Sequence, residues 1–381
     1  MGLSTSLKRT PLFAAHERAG ARLVDFGGWE MPVQYSGIVD EHLCVRRAVG
    51  IFDISHMGEV TVTGAGAKSF LNRVLTNDIG KLFPGQGQYT IMCNERGGAI
   101  DDLYAYRTGP KEYLLVINAS RIDEDVAWLE SQLAACPDEE ISVKNESDAL
   151  AAVAIQGPNS PPLLDLMFPG PSIAEIFADR PSDLLKNELG TFLFGTSQVR
   201  VSRTGYTGED GFELIAPEDL VVPLWEKALA LGSSFGLQPI GLGARDTLRT
   251  EMCYPLYGHE LNEDTTPVEA GVGFFVSFEK QEFNGREKLS TQKTDGTARR
   301  LVAFRMTGKS APPRPHYAVY ANGEKIGETT SGTLSPSMNI GIGLAYVSTE
   351  FAKPEQAIEI EIRNRRFPAV TVRKPIYKKL A

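Results

Sequence analysis

The sequence predicts an α+β protein of more than one domain. Three observations lead there. Over the first 280 residues, segments of helical period are interspersed with segments that alternate as strands do. From Tyr89 to Asn118 strand and turn signals follow one another as in a meander. Beyond about residue 280 the periodic segments are all strand-like. The length of 381 residues fits two or three domains, at roughly 100–200 residues each.

The elements follow in chain order. Leu12, Phe13, Ala15 and His16 show a helical pattern that leads into Ala21-Arg-Leu-Val-Asp. It stops at Asp25-Phe-Gly-Gly-Trp-Glu-Met-Pro, too rich in Gly and Pro to continue a helix. Glu59-Val-Thr-Val-Thr alternates at period two and predicts a strand; Ala67 to Leu75 predicts a helix. Tyr89-Thr-Ile-Met-Cys, Asp101-Asp-Leu-Tyr-Ala-Tyr-Arg and Glu112-Tyr-Leu-Leu-Val-Ile-Asn are the meander strands, the first two joined by Asn94-Glu-Arg-Gly-Gly. Ser120 is the expected cap of a helix running to about Leu133, with Asp123, Glu124 and Asp125 suiting its dipole. Strands are expected at 141–145, 149–156 and Gln198 to Ser202, with a loop at Gly157-Pro-Asn-Ser-Pro-Pro. Helices are expected over Leu220 to Leu231 and Ala244 to Met252.

Leu301 to Met306, Tyr317 to Tyr320, Ile342 to Val347, Ala357 to Ile362 and Ala369 to Val372 are strand-like. Ala321-Asn-Gly-Glu is a hairpin turn, because Asn-Gly tolerates the two positive φ values of type I′. The last hundred residues are therefore expected to form a separate all-β unit, a small barrel or sandwich.

Composition excludes several classes. A net charge of −9, spread along the chain, argues against a broad nucleic-acid footprint. No apolar run approaches the roughly 20 residues that span a bilayer. Cys44, Cys93, Cys136 and Cys253 form no CxxC unit, and four free thiols in a reducing compartment are expected. The five histidines show no metal spacing, so no metal is expected. Gly64-Ala-Gly-Ala-Lys-Ser and Gly241-Leu-Gly-Ala-Arg-Asp are only partial phosphate-loop patterns. The start of the chain lacks an apolar signal core, and a cytoplasmic protein is expected, with a mature organellar form left open.

Three features carry candidate chemistry. Asp101-Asp102 enters a strand just after a Gly-Gly turn, and strand alternation lets only one of the pair face a given cavity. Tyr104 and Tyr106 follow at alternate positions; a solvated strand start is the competing reading. Arg203 to Glu213 packs Glu209, Asp210 and Glu213 into a Gly-rich turn, where like charges cost stability unless a cation or ligand compensates. A plain hairpin competes. Gly241 to Glu251 carries Arg245 and Arg249 four apart on one helical face, suited to a carboxylate or heterocycle, or else to a surface ion-pair lattice.

These features, in this order, resemble the aminomethyltransferase family, the T-proteins of the glycine cleavage system. Arg9-Thr-Pro-Leu-Phe, Val24-Asp-Phe-Gly-Gly-Trp-Glu-Met-Pro and Phe52-Asp-Ile-Ser-His-Met-Gly-Glu begin the match. Arg203-Thr-Gly-Tyr-Thr-Gly-Glu-Asp-Gly-Phe-Glu, Gly241-Leu-Gly-Ala-Arg-Asp-Thr-Leu-Arg, Tyr257-Gly-His-Glu-Leu and Thr330-Ser-Gly-Thr-Leu-Ser-Pro complete it, from residue 8 to 377. The resemblance implies a three-domain clover-leaf folate-binding fold with a C-terminal barrel-like domain. On that pattern 1–55 with 147–250 make the first domain, 56–146 the second, 251–284 a connecting segment and 285–381 the barrel. It also implies tetrahydrofolate as co-substrate, the lipoyl-bearing H-protein as partner and a monomer. Carried over by position, Asp102 is the catalytic carboxylate, near N10 of folate, and Asp101 faces away. Glu213 holds the pterin; Tyr89, Tyr104, Tyr106, Val116 and Tyr206 line the pocket; Arg245 contacts the ligand.

The chain departs from the family in two respects. Phe274, expected at the folate, stands where many members have Trp. Lys378 and Lys379 stand near where some members have a terminal Arg. Three rival functions share the fold: a folate-dependent demethylase of another small methyl donor, a non-catalytic folate-binding protein of iron–sulfur assembly, and the folate half of a flavin-linked demethylating oxidase, whose flavin half would need a separate subunit. The second has a Lys-Gly-Cys-Tyr-x-Gly-Gln-Glu motif; Met252-Cys-Tyr-Pro-Leu-Tyr-Gly-His-Glu shares only part of it.

Overall fold

A computed structural model describes residues 6–135 and 140–379. The chain divides into two compact units. The first holds Met1–Leu71, Ile79–Tyr89 and Leu103–Arg245; the second holds Asn72–Asp78, Thr90–Asp102 and Asp246–Ala381.

The main sheet of the first unit has seven strands. Their order is Ala174–Glu175, Leu189–Phe194, Ser197–Ser202, Gly211–Pro217, Leu150–Gln156, Val49–Asp53 and Leu237–Pro239. Its pairings are antiparallel save the last, where Leu237–Pro239 runs parallel to Val49–Asp53. The apolar face of that sheet packs under helices Ser160–Met167 and Val221–Gly232, through Leu163, Leu164, Leu224 and Trp225. A five-stranded sheet has the order Gly87–Cys93, Ala99–Gly109, Glu112–Ile117, Gly58–Thr63 and Ser142–Asn145.

In the second unit, six strands close into a barrel: Arg299–Met306, Ile340–Ser348, Glu324–Ser335, Ala318–Ala321, Ala357–Ile362 and Arg365–Val372. Alternate inward residues fill it, among them Val302, Phe304, Val347, Ile358 and Ile360. Closure removes the free edges that open sheets expose. Asn322 at φ 51° and Gly323 at φ 87° make the expected turn between two barrel strands.

Several expectations need correction. Ser120 does not cap the helix Ile122–Ala134; it lies inside a 3-10 turn, Ala119–Arg121, and no side chain caps the helix start. Gly157-Pro-Asn-Ser-Pro-Pro is not wholly loop. A helix begins at Ser160, and prolines in a first turn cost nothing because their missing N–H has no intrahelical partner there. Arg22–Phe26 and Trp29–Gln34 form a hairpin and not a helical extension, turning at Gly27 and Gly28 with φ of 59° and 86°. The last hundred residues are not all strand, since a helix spans Arg286–Asp295. Cys44, Cys93 and Cys253 are free thiols, whereas Cys136 lies outside the described residues. No helix among the described residues is long and apolar enough to cross a membrane.

Candidate functional site

Strand alternation separates the Asp doublet. Along Ala99–Gly109, Asp101, Leu103 and Ala105 are buried, while Asp102 and Tyr104 are partly exposed. Asp102 therefore shares its face with Tyr104 and Tyr106, and Asp101 points the other way.

In the first unit the expected ligand residues join in one chain of contacts. The Tyr89 and Tyr104 rings meet edge to face at 6.5 Å, and Tyr104 and Tyr106 stack at 5.3 Å. Val116 lies directly opposite Tyr104 in the strand register. The Tyr104 hydroxyl donates to Asn187 Oδ1 at 2.7 Å. The Tyr106 oxygen is 3.1 Å from Thr204 Oγ1, which is 2.7 Å from Glu213 Oε2. Ser202 Oγ also lies 2.9 Å from Thr204 Oγ1. With Glu213 ionised, Thr204 gives its only proton to the carboxylate, so Tyr106 and Ser202 donate to Thr204. The Arg245 guanidinium sits 4.9 Å over the Tyr206 ring, and its charge reaches Glu213.

The electrostatics follow from burial. Burial raises the Glu213 carboxyl above the usual carboxylate range, opposed by the Thr204 hydrogen bond and the Arg245 charge. Burial first, and then the charge of Glu213, keep the Tyr106 phenol protonated far above its usual range. The site thus offers one acceptor carboxylate, one arginine and a wall of aromatic rings.

The crowded acids of the Gly-rich turn are compensated from within the protein. Arg203 holds Asp210 with two bonds of 3.0 and 2.6 Å. Arg46 meets Glu209 at 3.1 Å, with both side chains only 4% exposed, and donates to the Thr207 carbonyl at 2.7 Å. Gln156 organises the turn: it donates to the Thr204 carbonyl at 3.0 Å and accepts from the Thr207 hydroxyl at 2.9 Å. A Cβ at Gly205 would fall 1.8 Å from Gln156 Oε1, so a side chain there would displace Gln156 from the turn it holds. Gly241 and Gly243 are packing glycines in the same sense, lying against the backbone of Val33.

The second unit holds the remaining candidates. Phe274 stands on the turn Gly273–Phe275, 77% exposed, its ring 4.2 Å from that of Phe275. Arg249 does not belong to a surface lattice. It is buried, bonding Glu260 at 2.9 Å, Asp246 at 2.7 Å and Ser331 at 2.8 Å. Among the described residues no group of three or more His, Cys, Asp and Glu is placed to hold a metal ion.

Sequence reasoning missed Gln156, which carries no motif of its own, and a second buried cluster. Asp53 accepts from Thr10 at 2.6 Å and from the Ser55 N–H at 2.9 Å, and lies 2.9 Å from His16 Nε2. Burial alone would raise Asp53, but these partners hold it below its usual range. Its sequence signal is the Phe52-Asp-Ile-Ser-His-Met-Gly-Glu block, which carries Asp53 and Ser55.

The model of the GCVT N-terminal domain matches residues 12–280, and that of the glycine cleavage T-protein C-terminal barrel domain matches 299–378. Curated aminomethyltransferases from Bacillus cytotoxicus and Bacillus mycoides are 46% and 47% identical, over 98% of this chain and 99% of theirs. The crystal structure of the glycine cleavage system aminomethyltransferase T from Bartonella henselae superposes with a TM-score of 0.88, at 33% identity and 98% coverage of both chains. Fold and relatives together define a one-carbon transferase of the aminomethyltransferase type. The chain belongs to the glycine cleavage T-protein family.

Proposed function

We propose that the chain takes the aminomethyl group carried as S–CH2–NH3+ on the lipoyl arm of H-protein and passes its methylene to tetrahydrofolate. Ammonia leaves as ammonium, the arm leaves as a free thiol, and 5,10-methylenetetrahydrofolate forms. The two protons lost from N5 and N10 balance those gained by nitrogen and sulfur. The observation that carries this reading is the Glu213 carboxylate, fixed by Thr204 and Arg245 beside stacked tyrosines. That set fits a flat heterocycle rich in N–H groups: the carboxylate accepts from the ring, the tyrosines pack on it, and Arg245 takes the anionic side. Asp102 stabilises the positive charge that develops as N10 attacks the methylene. Phe274 adds an aromatic contact to the folate.

The sheets support a functional division into 1–55 with 147–250, 56–146, a connecting segment 251–284, and 285–381, since one sheet draws its strands from 49–53 and 150–239. The protein works in the cytoplasm, consistent with three free thiols, and as a monomer, as the resemblance implies. The test is ammonia release from aminomethyl-loaded H-protein with and without tetrahydrofolate, followed by assay of methylenetetrahydrofolate. Release that depends on tetrahydrofolate is expected. Folate binding without release would refute the transferase and leave the demethylase or the binding protein.

A further inference from the structure

We infer that Glu59 is a further binding residue of this site, whose carboxyl group takes up an N–H donor of a bound substrate from the Gly58–Thr63 strand. The inference rests on the proposed function above. Glu59 lies directly opposite Val116, and Val116 directly opposite Tyr104. Residues paired in register point to one face of a sheet, so the three side chains form a row. Adjacent strands are ~4.8 Å apart, which puts the Glu59 backbone ~10 Å from that of Tyr104. Val116 and Tyr104 are partly exposed, whereas Glu59, at the covered end of the row, is 0% exposed.

Among the described residues nothing uses this carboxyl group. Neither oxygen has a hydrogen-bond partner, although the Glu59 main chain is satisfied by Ser147 and Glu146. The polar groups near it in the sheet are engaged elsewhere: Thr61 donates to Glu146, which pairs with Lys144 at 2.7 Å. On the opposite face, Gly58 packs against Ile117 and Ile122. A buried carboxyl without partners is costly and is retained where something else supplies the partner. Burial alone pushes Glu59 up to about 8. The same segment reaches the arginine of the site: His56, 2% exposed, has an unpartnered Nδ1. Burial lowers His56 to about 4, Asp53 opposes that, and the charge of Arg245 adds to it. Both substrates of the proposed reaction bring N–H donors, the folate ring and the aminomethyl ammonium.

The test uses Glu59→Leu and Glu59→Gln in the full chain. One arm titrates tetrahydrofolate; the other measures KM for aminomethyl-loaded H-protein. Glu59→Leu is expected to weaken one of these constants about tenfold, as leaving a buried N–H donor of the substrate without its acceptor does. The constant that moves identifies which N–H the carboxyl meets. Glu59→Gln keeps one acceptor oxygen and is expected to weaken the same constant about threefold. Both constants within twofold of the unmodified protein in Glu59→Leu would overturn the inference. Should that variant not fold, Glu59→Gln unchanged in both would do so. An unmodified protein that binds no folate and releases no ammonia fails the proposed function instead.

Discussion

Replacing Glu59 by Gln should stabilise the protein by an amount that grows with pH. Burial lifts the Glu59 carboxyl from 4.5 to about 8. Between those values the folded chain holds a proton that the unfolded chain has released. The folded state binds more protons, so stability falls as pH rises through the window, by 1.36 kcal/mol per unit. The cost is near zero below pH 4.5, about 3 kcal/mol at pH 7, and levels off near 5 kcal/mol above pH 8. Gln keeps the shape and the buried polar atoms but does not ionise, so the difference between variant and parent isolates this cost. Urea unfolding at pH 5, 7 and 9, followed by a probe in the first unit, measures it. A difference below about 1 kcal/mol at pH 5 that widens to several kcal/mol at pH 9 is expected. A difference that stays flat over that range would show that Glu59 is ionised in the folded protein and that the reasoning is wrong.

Four other outcomes are expected. Asp102→Asn should leave folate affinity nearly unchanged and lower turnover about 100- to 10,000-fold, measured as ammonia release; unchanged turnover would remove Asp102 from the chemistry. Glu213→Ala should weaken folate binding ~10- to 100-fold by titration, through loss of charge-assisted bonds. In the unmodified protein, folate affinity should fall as pH drops through the raised Glu213 pKa, since only the ionised form accepts from every ring N–H. Arg46→Met should cost ~3–5 kcal/mol in urea unfolding, because it removes the cation paired with the buried Glu209 charge.

What the sequence made legible follows from where each signal lies. The barrel strands alternate cleanly because one face is buried, and Asn322-Gly323 announces its turn in two residues. Helices Val221–Gly232 and Leu242–Met252 fall within two residues of expectation because their apolar stripes are long. The helix Arg286–Asp295 was not legible, since Arg, Glu, Lys, Ser, Thr, Gln and Asp leave it almost no apolar face to detect. Pro161 and Pro162 hid the start of another helix, because a breaker inside a helix is tolerated at its first turn. In the site, Asp102, Tyr104 and Glu213 stand in recognisable blocks. Gln156 does not, because its partners lie 48 and 51 residues away and only the folded chain brings them together.

The acids of the Gly-rich turn show how the fold separates structure from function in one short segment. Like charges at Glu209, Asp210 and Glu213 suggested a missing external cation. The structure instead gives Glu209 to Arg46 and Asp210 to Arg203, each through a direct ion pair. Glu213 is treated differently: it receives a hydroxyl from Thr204 and only the field of Arg245, whose guanidinium lies over Tyr206. A directly paired carboxylate would exchange an internal salt bridge for each ligand bond and gain little. One held by a hydroxyl and a nearby charge keeps its acceptor capacity for the ligand. The turn therefore neutralises two acids to fix its own shape, and that shape presents the third.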